Sequence, residues 1–297
     1  MKISDEIYSE LLTVRDWVRF GASLFNQYKL HFGHGTDNAW DEAVCLVLYA
    51  IHLPPDSHAQ ILDARVTTEE KKKIANLFQI RIQERLPAPY ITHEAWFCGM
   101  KFYVNKETLI PRSSFDELIE KQLETWVVQD NVHRILDLCT GSGCIAVAAA
   151  MAFPEAKIDA IDISETALKV ARKNIADHGL DHQIRVLHSD LFNSLDGERY
   201  DIILSNPPYV SSDEMALLPA EYRHEPAIGL LAQEEGLEMV VRILQQARDF
   251  LTHDGILVVE VGNSEQTLIE RFPQMPFTWL EFERSEGGVF LLTSEQL

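Results

Sequence analysis

The segment Asn206-Pro207-Pro208-Tyr209 directly follows a short apolar run, Tyr200–Ser205, with the composition of a buried strand. Its two prolines fix their φ angles and remove two N–H donors, so hydrogen-bond acceptors dominate. The Asn206 side-chain oxygen and the Pro207 carbonyl oxygen could each accept one N–H of a planar amide or aromatic amine. This grip would favour the positive charge that the nitrogen develops. The four residues are therefore predicted to be catalytic, with the Tyr209 ring facing a sulfonium or the substrate plane.

A second segment with chemical potential is Asp137-Leu138-Cys139-Thr140-Gly141-Ser142-Gly143, between a predicted strand and a helix of small residues. Glycines at a strand-to-helix turn let a ligand approach the backbone closely. A carboxylate at Asp137 would repel a pyrophosphate, but it would suit a ligand with an amino group, such as a methionine tail. The predicted cofactor-binding residues of this loop are Asp137, Thr140, Gly141 and Gly143.

Two more carboxylates follow the next two predicted strands. Asp162 can accept both hydroxyls of a ribose. Asp190 can accept a hydrogen bond from an adenine amino group, and Phe192 can stack on the ring. Each aspartate alone is equally consistent with a helix N-cap or a turn. Three of them at successive strand ends favour one nucleoside site, and Asn206 is assigned to this site as well as to the catalytic set.

Other chemistry is not indicated. No Cys or His set has the spacing of metal ligands, so no metal is expected, and His31 and His34 are best interpreted as part of a solvated, Gly-rich turn. The four cysteines form no C-x-x-C pair, which fits a reducing compartment. Neither a signal peptide nor a membrane span is apparent, so a cytoplasmic location is predicted.

The elements that must position these residues alternate along the second part of the chain. The candidate strands, with helical stretches between the first five, are Arg134–Leu138, Lys157–Ile161, Ile184–His188, Tyr200–Ser205, Ile256–Val261, Phe277–Phe282 and Val289–Leu292. This alternation predicts an α/β fold with a doubly wound, mainly parallel sheet. Gly287-Gly288 between the last two strands predicts a closing antiparallel hairpin.

The first part of the chain is predicted to be helical. Ile7, Leu11, Val14 and Val18 recur at helical spacing and give one apolar face. Further helices are predicted over 39–51 and from Thr67-Thr68, the latter with Lys71-Lys72-Lys73 on its solvated side. Three domains follow from these patterns: a helical substrate-recognition module (1–88), a β-hairpin connector (89–112) and a catalytic domain (113–297).

With these motifs the chain resembles the class I S-adenosylmethionine-dependent methyltransferases, and within them the glutamine N5-methyltransferases of the HemK/Prm group. The matching segments are Ala95–Gly99, Leu109–Arg112, Asp137–Gly143, Asn206–Tyr209, His224–Ala227 and Glu235–Leu237. The resemblance implies a Rossmann-like, mainly parallel seven-stranded sheet with a closing antiparallel hairpin, plus a small N-terminal helical domain. It also implies an enzyme of the EC 2.1.1 class that converts S-adenosylmethionine to S-adenosylhomocysteine.

The resemblance assigns roles to individual residues as well. It implies that residues near Gly141, Asp162 and Asp190 hold the cofactor, while Asn206 and Pro207 hold a glutamine amide. One branch of the group methylates peptide chain release factors, and another methylates ribosomal protein uL3.

Two sequence features bear on the choice of branch. The release-factor branch typically reads P-R-P-D-T-E where this chain reads Pro111–Asp116, which favours the uL3 branch. The group usually has Pro-Ile-Gly where this chain has Ser114-Phe115-Asp116. Arg112 either orients the hairpin over the cofactor or forms an ion pair with a nearby acid.

The charge distribution points to a basic partner. The net charge is −20; residues 1–110 hold 12 Lys and Arg against 14 Asp and Glu, whereas residues 111–297 hold 14 against 32. Such a surface repels phosphate backbones and attracts basic proteins, although charge that only confers solubility is the alternative. Seven acids lie within 211–238. If that segment rims the pocket, it would steer a basic protein such as uL3 inward.

Three alternatives stay open. Methylation of a release factor would use the same site. An N6-adenine or N2-guanine nucleic-acid methyltransferase could grip an exocyclic amine in the same way after base flipping. That class needs a basic face or a recognition domain, which the sequence does not show, so direct nucleic-acid binding is not expected. A nicotinamide enzyme or a non-catalytic module would not need the paired acceptors of Asn206 and Pro207.

Overall fold

The computed structural model of the chain describes residues 4–284 and 288–297. Two compact units are present, an N-terminal unit (Met1–Glu94 with Pro219–His224) and a sheet unit (Ala95–Leu218 with Glu225–Leu297). The short segment 219–224 belongs to the N-terminal unit although it follows the Asn206 loop in sequence, which no local pattern indicated. The roles and bounds assigned to the three domains stay predictions.

The described part of the N-terminal unit is built on helices α1 (Asp5–Glu10), α2 (Val14–Gln27), α3 (Ala39–Ala50), α4 (Thr68–Glu84) and α5 (Ala88–Thr92). Trp17, Phe25 and Phe78 are fully buried in its core. Phe25 meets Phe78 edge-on with ring centroids 5.2 Å apart, an arrangement that aromatic quadrupoles favour.

Three predictions for this unit are wrong in detail. His34 does not lie in a solvated turn, since it is only 2% exposed. The single apolar helix through Ile7 and Val18 is interrupted, because Thr13 begins a new helix. Its hydroxyl accepts the Asp16 N–H and the Asp16 carboxylate accepts the Thr13 N–H, which is a capping box. Lys71 does not lie on the solvated side of α4. It is only 8% exposed, and its ammonium donates to the Tyr8 carbonyl oxygen at 2.7 Å.

A seven-stranded sheet forms the centre of the sheet unit and confirms the predicted fold class. Its strands are β3 (Arg134–Leu138), β4 (Lys157–Asp162), β5 (Ile184–His188), β6 (Tyr200–Ser205), β7 (Leu251–Glu260), β8 (Thr278–Trp279) and β9 (Val289–Thr293). The order is β5-β4-β3-β6-β7-β9-β8. The first five strands are parallel, and β9 runs antiparallel to β7 and β8. Of the predicted Gly287-Gly288 turn, Gly287 lies outside the described residues.

Helices cover both faces of this sheet. The helical part of the unit consists of α6 (Phe115–Glu120), α7 (Cys144–Ala152), α8 (Glu165–Asp177), α9 (Ser212–Leu217), α10 (Ala227–Leu230), α11 (Glu238–Phe250) and α12 (Glu265–Arg271). Alternate strand residues enter two different cores. Ile135 packs with α7, whereas Leu136 packs with α11. This alternation follows from the two-residue period of a strand, and each fully buried Ile or Leu contributes about 2 kcal/mol.

A separate two-stranded sheet pairs β1 (Glu94–Phe97) with β2 (Met100–Tyr103), inside the segment predicted to form a hairpin. The beginning of that segment instead forms α5. Among the described residues, no helix combines the length and apolarity needed to cross a membrane.

Candidate active site

The strand register brings the predicted site residues to one edge of the sheet. Leu138 of β3 pairs with Ser205 of β6, so the loop that starts at Asn206 begins beside the glycine-rich loop. Asp162 is the last residue of β4, and Asp190 follows the end of β5 by two residues. In a parallel sheet all of these positions lie at the carboxyl edge, where ligands bind in open α/β folds.

Asp137 lies within β3 and is fully buried. Its Oδ2 accepts hydrogen bonds from the Thr140 hydroxyl at 2.5 Å and from the Ala146 N–H at 3.1 Å. Its Oδ1 has no hydrogen-bond partner among the described residues. Burial raises the pKa of Asp137 to about 7, because the charged form loses its hydration. A ligand ammonium group at Oδ1 would satisfy that oxygen and stabilise the ionised carboxylate.

The two glycines of the loop have different roles. Gly143 has a φ of +80°, and a Cβ at this position would lie 3.2 Å from the Ala171 Cβ, so its small size serves the packing against α8. Gly141 has a φ of +54° and leaves open space, since a Cβ here would meet no atom closer than 4.0 Å. Only Gly141 therefore provides room beside the loop for a ligand.

Asp162 is held in place by backbone donors. Its Oδ2 accepts the Gly141 N–H at 2.9 Å, and its Oδ1 accepts the Ser164 N–H at 2.8 Å. Burial raises the pKa of Asp162, and these N–H groups oppose that shift. Each carboxylate oxygen keeps a second lone pair, so Asp162 can accept the two hydroxyls of a ribose.

Asp190 forms an ion pair that the sequence did not indicate. Arg242 of α11 donates from Nη2 to its Oδ2 at 2.8 Å, whereas its Oδ1 is buried and has no hydrogen-bond partner in the described parts of the chain. The orphaned oxygen is suited to an amino donor such as that of adenine. Phe192 is 2% exposed and stacks on Phe250 at 4.6 Å, so its ring has a packing role; its contact with adenine stays a prediction.

The loop that begins at Asn206 carries the two predicted acceptors, and their catalytic role stays a prediction. Asn206 is half-buried and Pro207 is buried. Within residues 4–284 and 288–297, neither the Asn206 side-chain oxygen nor the Pro207 carbonyl oxygen accepts a hydrogen bond. Tyr209 is fixed at both ends: its hydroxyl donates to Glu260 at 3.3 Å, and its carbonyl oxygen accepts the Ser264 hydroxyl at 3.3 Å. Both acceptors lie at the carboxyl edge, and their contact with a substrate amide stays a prediction.

Of the seven acids in 211–238, which would steer a basic partner if the segment rims the pocket, two are buried. Glu221 is buried in the N-terminal unit, where it pairs with Arg81, and Glu225 is buried against Arg112. The acids of the segment that are exposed are Asp213, Glu234 and Glu235, and Glu234 pairs with Arg271 at 2.7 Å. Fewer carboxylates than predicted can therefore attract a basic partner.

The residues that the sequence analysis missed are mainly partners of those it found. Arg242 and Glu260 contact predicted site residues from α11 and β7. Glu260 offered one signal, since it is a carboxylate that ends the apolar run Gly255–Val259. Arg242 offered none, because it is an ordinary polar residue of an amphipathic helix.

Comparison with known proteins agrees with the fold. Residues 117–222 match the sequence profile of the methyltransferase small domain. The hMettl16 catalytic domain has a similar fold in two crystal structures with MAT2A 3′UTR hairpins. The hairpin 1 complex gives a TM-score of 0.53 at 18% identity, covering 93% of this chain and 90% of that chain. The hairpin 6 complex gives a TM-score of 0.50 at 19% identity, covering 75% of this chain and 80% of that chain. The profile match and the structural likeness agree with a methyltransferase fold.

The most informative relatives narrow this class. The ribosomal protein uL3 glutamine methyltransferase of Neisseria meningitidis serogroup A is 47% identical over 289 residues, which cover 97% of this chain and 95% of the relative. The protein of the same name from Bordetella pertussis is 45% identical, with 97% of each chain covered. The chain belongs to the family of the ribosomal protein uL3 glutamine methyltransferases, which confirms the predicted family.

Proposed function

We propose that this protein transfers the methyl group of S-adenosylmethionine to the N5 amide nitrogen of a glutamine in ribosomal protein uL3. The observation that carries the proposal is the 45–47% identity, along nearly the whole chain, to proteins named for that activity. The two open acceptors of Asn206 and Pro207 at the carboxyl edge fit this chemistry. The protein is expected to act in the cytoplasm.

Three carboxylates would hold S-adenosylmethionine. Asp137 Oδ1 would accept the amino group of the methionine part, Asp162 the ribose hydroxyls, and Asp190 Oδ1 the adenine amine. The fit rests on two buried oxygens without a partner in the described chain and on a pKa near 7 at Asp137, which a nearby ammonium would lower. Gly141 leaves the open space that a ligand beside this loop needs.

The substrate amide would be held by the catalytic loop. Its two N–H groups would donate to the Asn206 side-chain oxygen and the Pro207 carbonyl oxygen, which fixes the amide plane. S-adenosylmethionine would supply a methyl group bonded to a sulfonium, so that the amide nitrogen would gain an N–C bond and sulfur would keep the S–C electron pair. The two acceptors stabilise the positive charge that develops on the nitrogen, and its proton leaves to water afterwards.

The partner proposed for the acidic surface is the basic protein uL3. Asp213 is exposed shortly after Tyr209 in the chain, and Glu235 is exposed later in the same acidic segment. The N-terminal unit is proposed to recognise this substrate, because the likeness to the named relatives extends through it. Release-factor methylation is the alternative that would use the same acceptors.

The direct test uses purified uL3. Peptide mass spectrometry after incubation with S-adenosylmethionine is expected to place one methyl group on a glutamine side chain. Replacing that glutamine by asparagine keeps the amide but withdraws it by one methylene, and is expected to abolish transfer. A methyl group found on another residue type of uL3 would contradict the proposal.

A further inference from the structure

Glu260 is a buried carboxylate at the carboxyl edge of the sheet. It is the last residue of β7 and is 5% exposed. Ser205 of β6 pairs with Val259 of β7, so Asn206 and Glu260 follow side by side on adjacent strands. Glu260 therefore stands next to the catalytic loop without belonging to it.

Two hydroxyl groups from separate segments converge on this carboxylate. Ser113 donates from Oγ to Oε2 at 2.5 Å, and Tyr209 donates from its phenol to Oε1 at 3.3 Å. The Ser113 Oγ also accepts the Phe115 N–H at 3.2 Å, which orients it at the start of α6. Glu260 thus joins the segment before α6 to the end of the Asn206 loop.

Tight backbone packing leaves Tyr209 little freedom apart from this hydrogen bond. A Cβ on Gly262 would lie 2.6 Å from the Tyr209 ring, and a Cβ on Gly236 would lie 2.3 Å from its carbonyl oxygen. Both glycines have positive φ angles, so larger residues there would also strain the backbone. The ring is packed on one side, and Glu260 fixes its hydroxyl end.

We propose that Glu260 is a positioning residue for methyl transfer, which fixes Tyr209 and, through the chain, the Asn206 and Pro207 acceptors. The inference rests on the proposed function. Burial raises the pKa of Glu260, while the two hydroxyl donors and Arg112 oppose the shift. Displacing acceptors by even a fraction of an ångström weakens the grip on a developing charge, so the loss falls on the chemical step.

The test compares Glu260→Gln, Tyr209→Phe and the double variant in steady-state kinetics with uL3. Tyr200→Phe is the matched control, because the Tyr200 hydroxyl donates to the buried Asp159 at 2.7 Å at the opposite end of β6. Glu260→Gln is expected to lower kcat about tenfold or more with S-adenosylhomocysteine affinity within about twofold of wild type. The double variant is expected to be no worse than the more damaging single variant, since both changes weaken the same contact between Glu260 and Tyr209. Tyr200→Phe is expected to keep kcat within about twofold.

The inference would be overturned if the losses in kcat of Glu260→Gln and Tyr209→Phe were additive in the double variant. An unchanged kcat in Glu260→Gln would also overturn it. Should Glu260→Gln fail to fold, Ser113→Ala removes one of the two donors and is expected to lower kcat in the same direction. Hydrogen exchange at the Val210 amide, which donates to the Leu230 carbonyl at 2.9 Å, is expected to accelerate in the substrate-free variant. If wild-type protein methylates no glutamine, the proposed function fails, whereas the exchange result still decides whether Glu260 positions the loop.

Discussion

Arg112 and Glu225 form a bidentate ion pair, with Nη1 to Oε1 at 2.6 Å and Nη2 to Oε2 at 2.8 Å. The Glu225 side chain is fully buried and also accepts the Ile110 N–H at 3.0 Å, whereas 27% of the Arg112 side chain is exposed. The pair joins the segment before α6 to the segment before α10. Of the two roles that the sequence left open for Arg112, the structure shows the ion pair.

Arg112→Met should destabilise the protein, because it leaves a buried carboxylate without its cation. The expected loss in free energy of unfolding is about 3 kcal/mol or more, measured by urea unfolding. Arg172→Met is the control, since Arg172 and Glu165 form an exposed pair whose loss should cost about 1 kcal/mol or less. Equal losses in the two variants would contradict a structural role for the buried pair.

Asp137 should make ligand binding depend on pH. Its pKa near 7 in the free protein means that the carboxyl group is largely protonated at pH 5.5 and ionised at pH 8. Affinity for S-adenosylhomocysteine should therefore rise as Asp137 ionises, whereas Asp137→Asn should bind more weakly and lose this component. Calorimetry across that range checks the difference, and parallel pH profiles for both proteins would exclude the role.

The same carboxyl group should also affect stability. Its folded-state pKa lies above the unfolded value, so the folded protein binds more protons between about pH 4 and 7 and loses stability as pH rises through this window. Asp137→Asn removes the effect. Its free energy of unfolding relative to wild type should therefore increase from pH 5 to pH 8 in urea titrations without ligand, and a constant difference would refute the assigned pKa shift.

Asp190 should discriminate the base of the ligand. Its orphaned Oδ1 is assigned to the adenine amino group, so Asp190→Ala should weaken binding of S-adenosylhomocysteine about tenfold. S-inosylhomocysteine lacks that amino group, so Asp190→Ala should weaken its binding only slightly. An equal loss for both ligands, measured by calorimetry, would show that Asp190 acts only through its ion pair with Arg242.

The exposed acids should affect the encounter with a basic substrate. Neutralising Asp213 and Glu235 together should lower kcat/KM for uL3 about threefold to tenfold at low salt, and added salt should shrink the difference. Neutralising Asp130 and Asp181 changes the net charge equally at exposed positions elsewhere. If both double variants behave alike, only net charge matters and the local steering is absent.

The sequence predicted the parts of the site that depend on local order. The Asn206 loop and the glycine-rich loop could be located because each directly follows an apolar strand, and parallel strands bring their ends together. The same reasoning placed Asp162 and Asp190 at that edge. Once the strand ends are assigned, the residues that follow them are predicted to lie near one another without any knowledge of side-chain packing.

What the sequence could not predict depends on contacts between distant segments. Arg112 and Glu225 are 113 residues apart, and Asp190 and Arg242 are 52 apart. Tertiary packing decides which carboxylate receives which cation, and it also buries Lys71 in a run of lysines that reads as solvated. The first helix ends earlier than predicted, because the N-cap at Thr13 begins a new helix although the apolar periodicity continues.

Methyl-labelled S-adenosylmethionine, offered with purified uL3, a release factor and ribosomal RNA in separate reactions, tests the proposed activity most directly. Mass spectrometry should locate the label on the side-chain amide of a glutamine in uL3, and Asn206→Ala should lower this rate about 100-fold or more. Label on the release factor alone would keep the amide chemistry but contradict the substrate. Label on RNA alone would contradict both the glutamine substrate and the acidic docking surface.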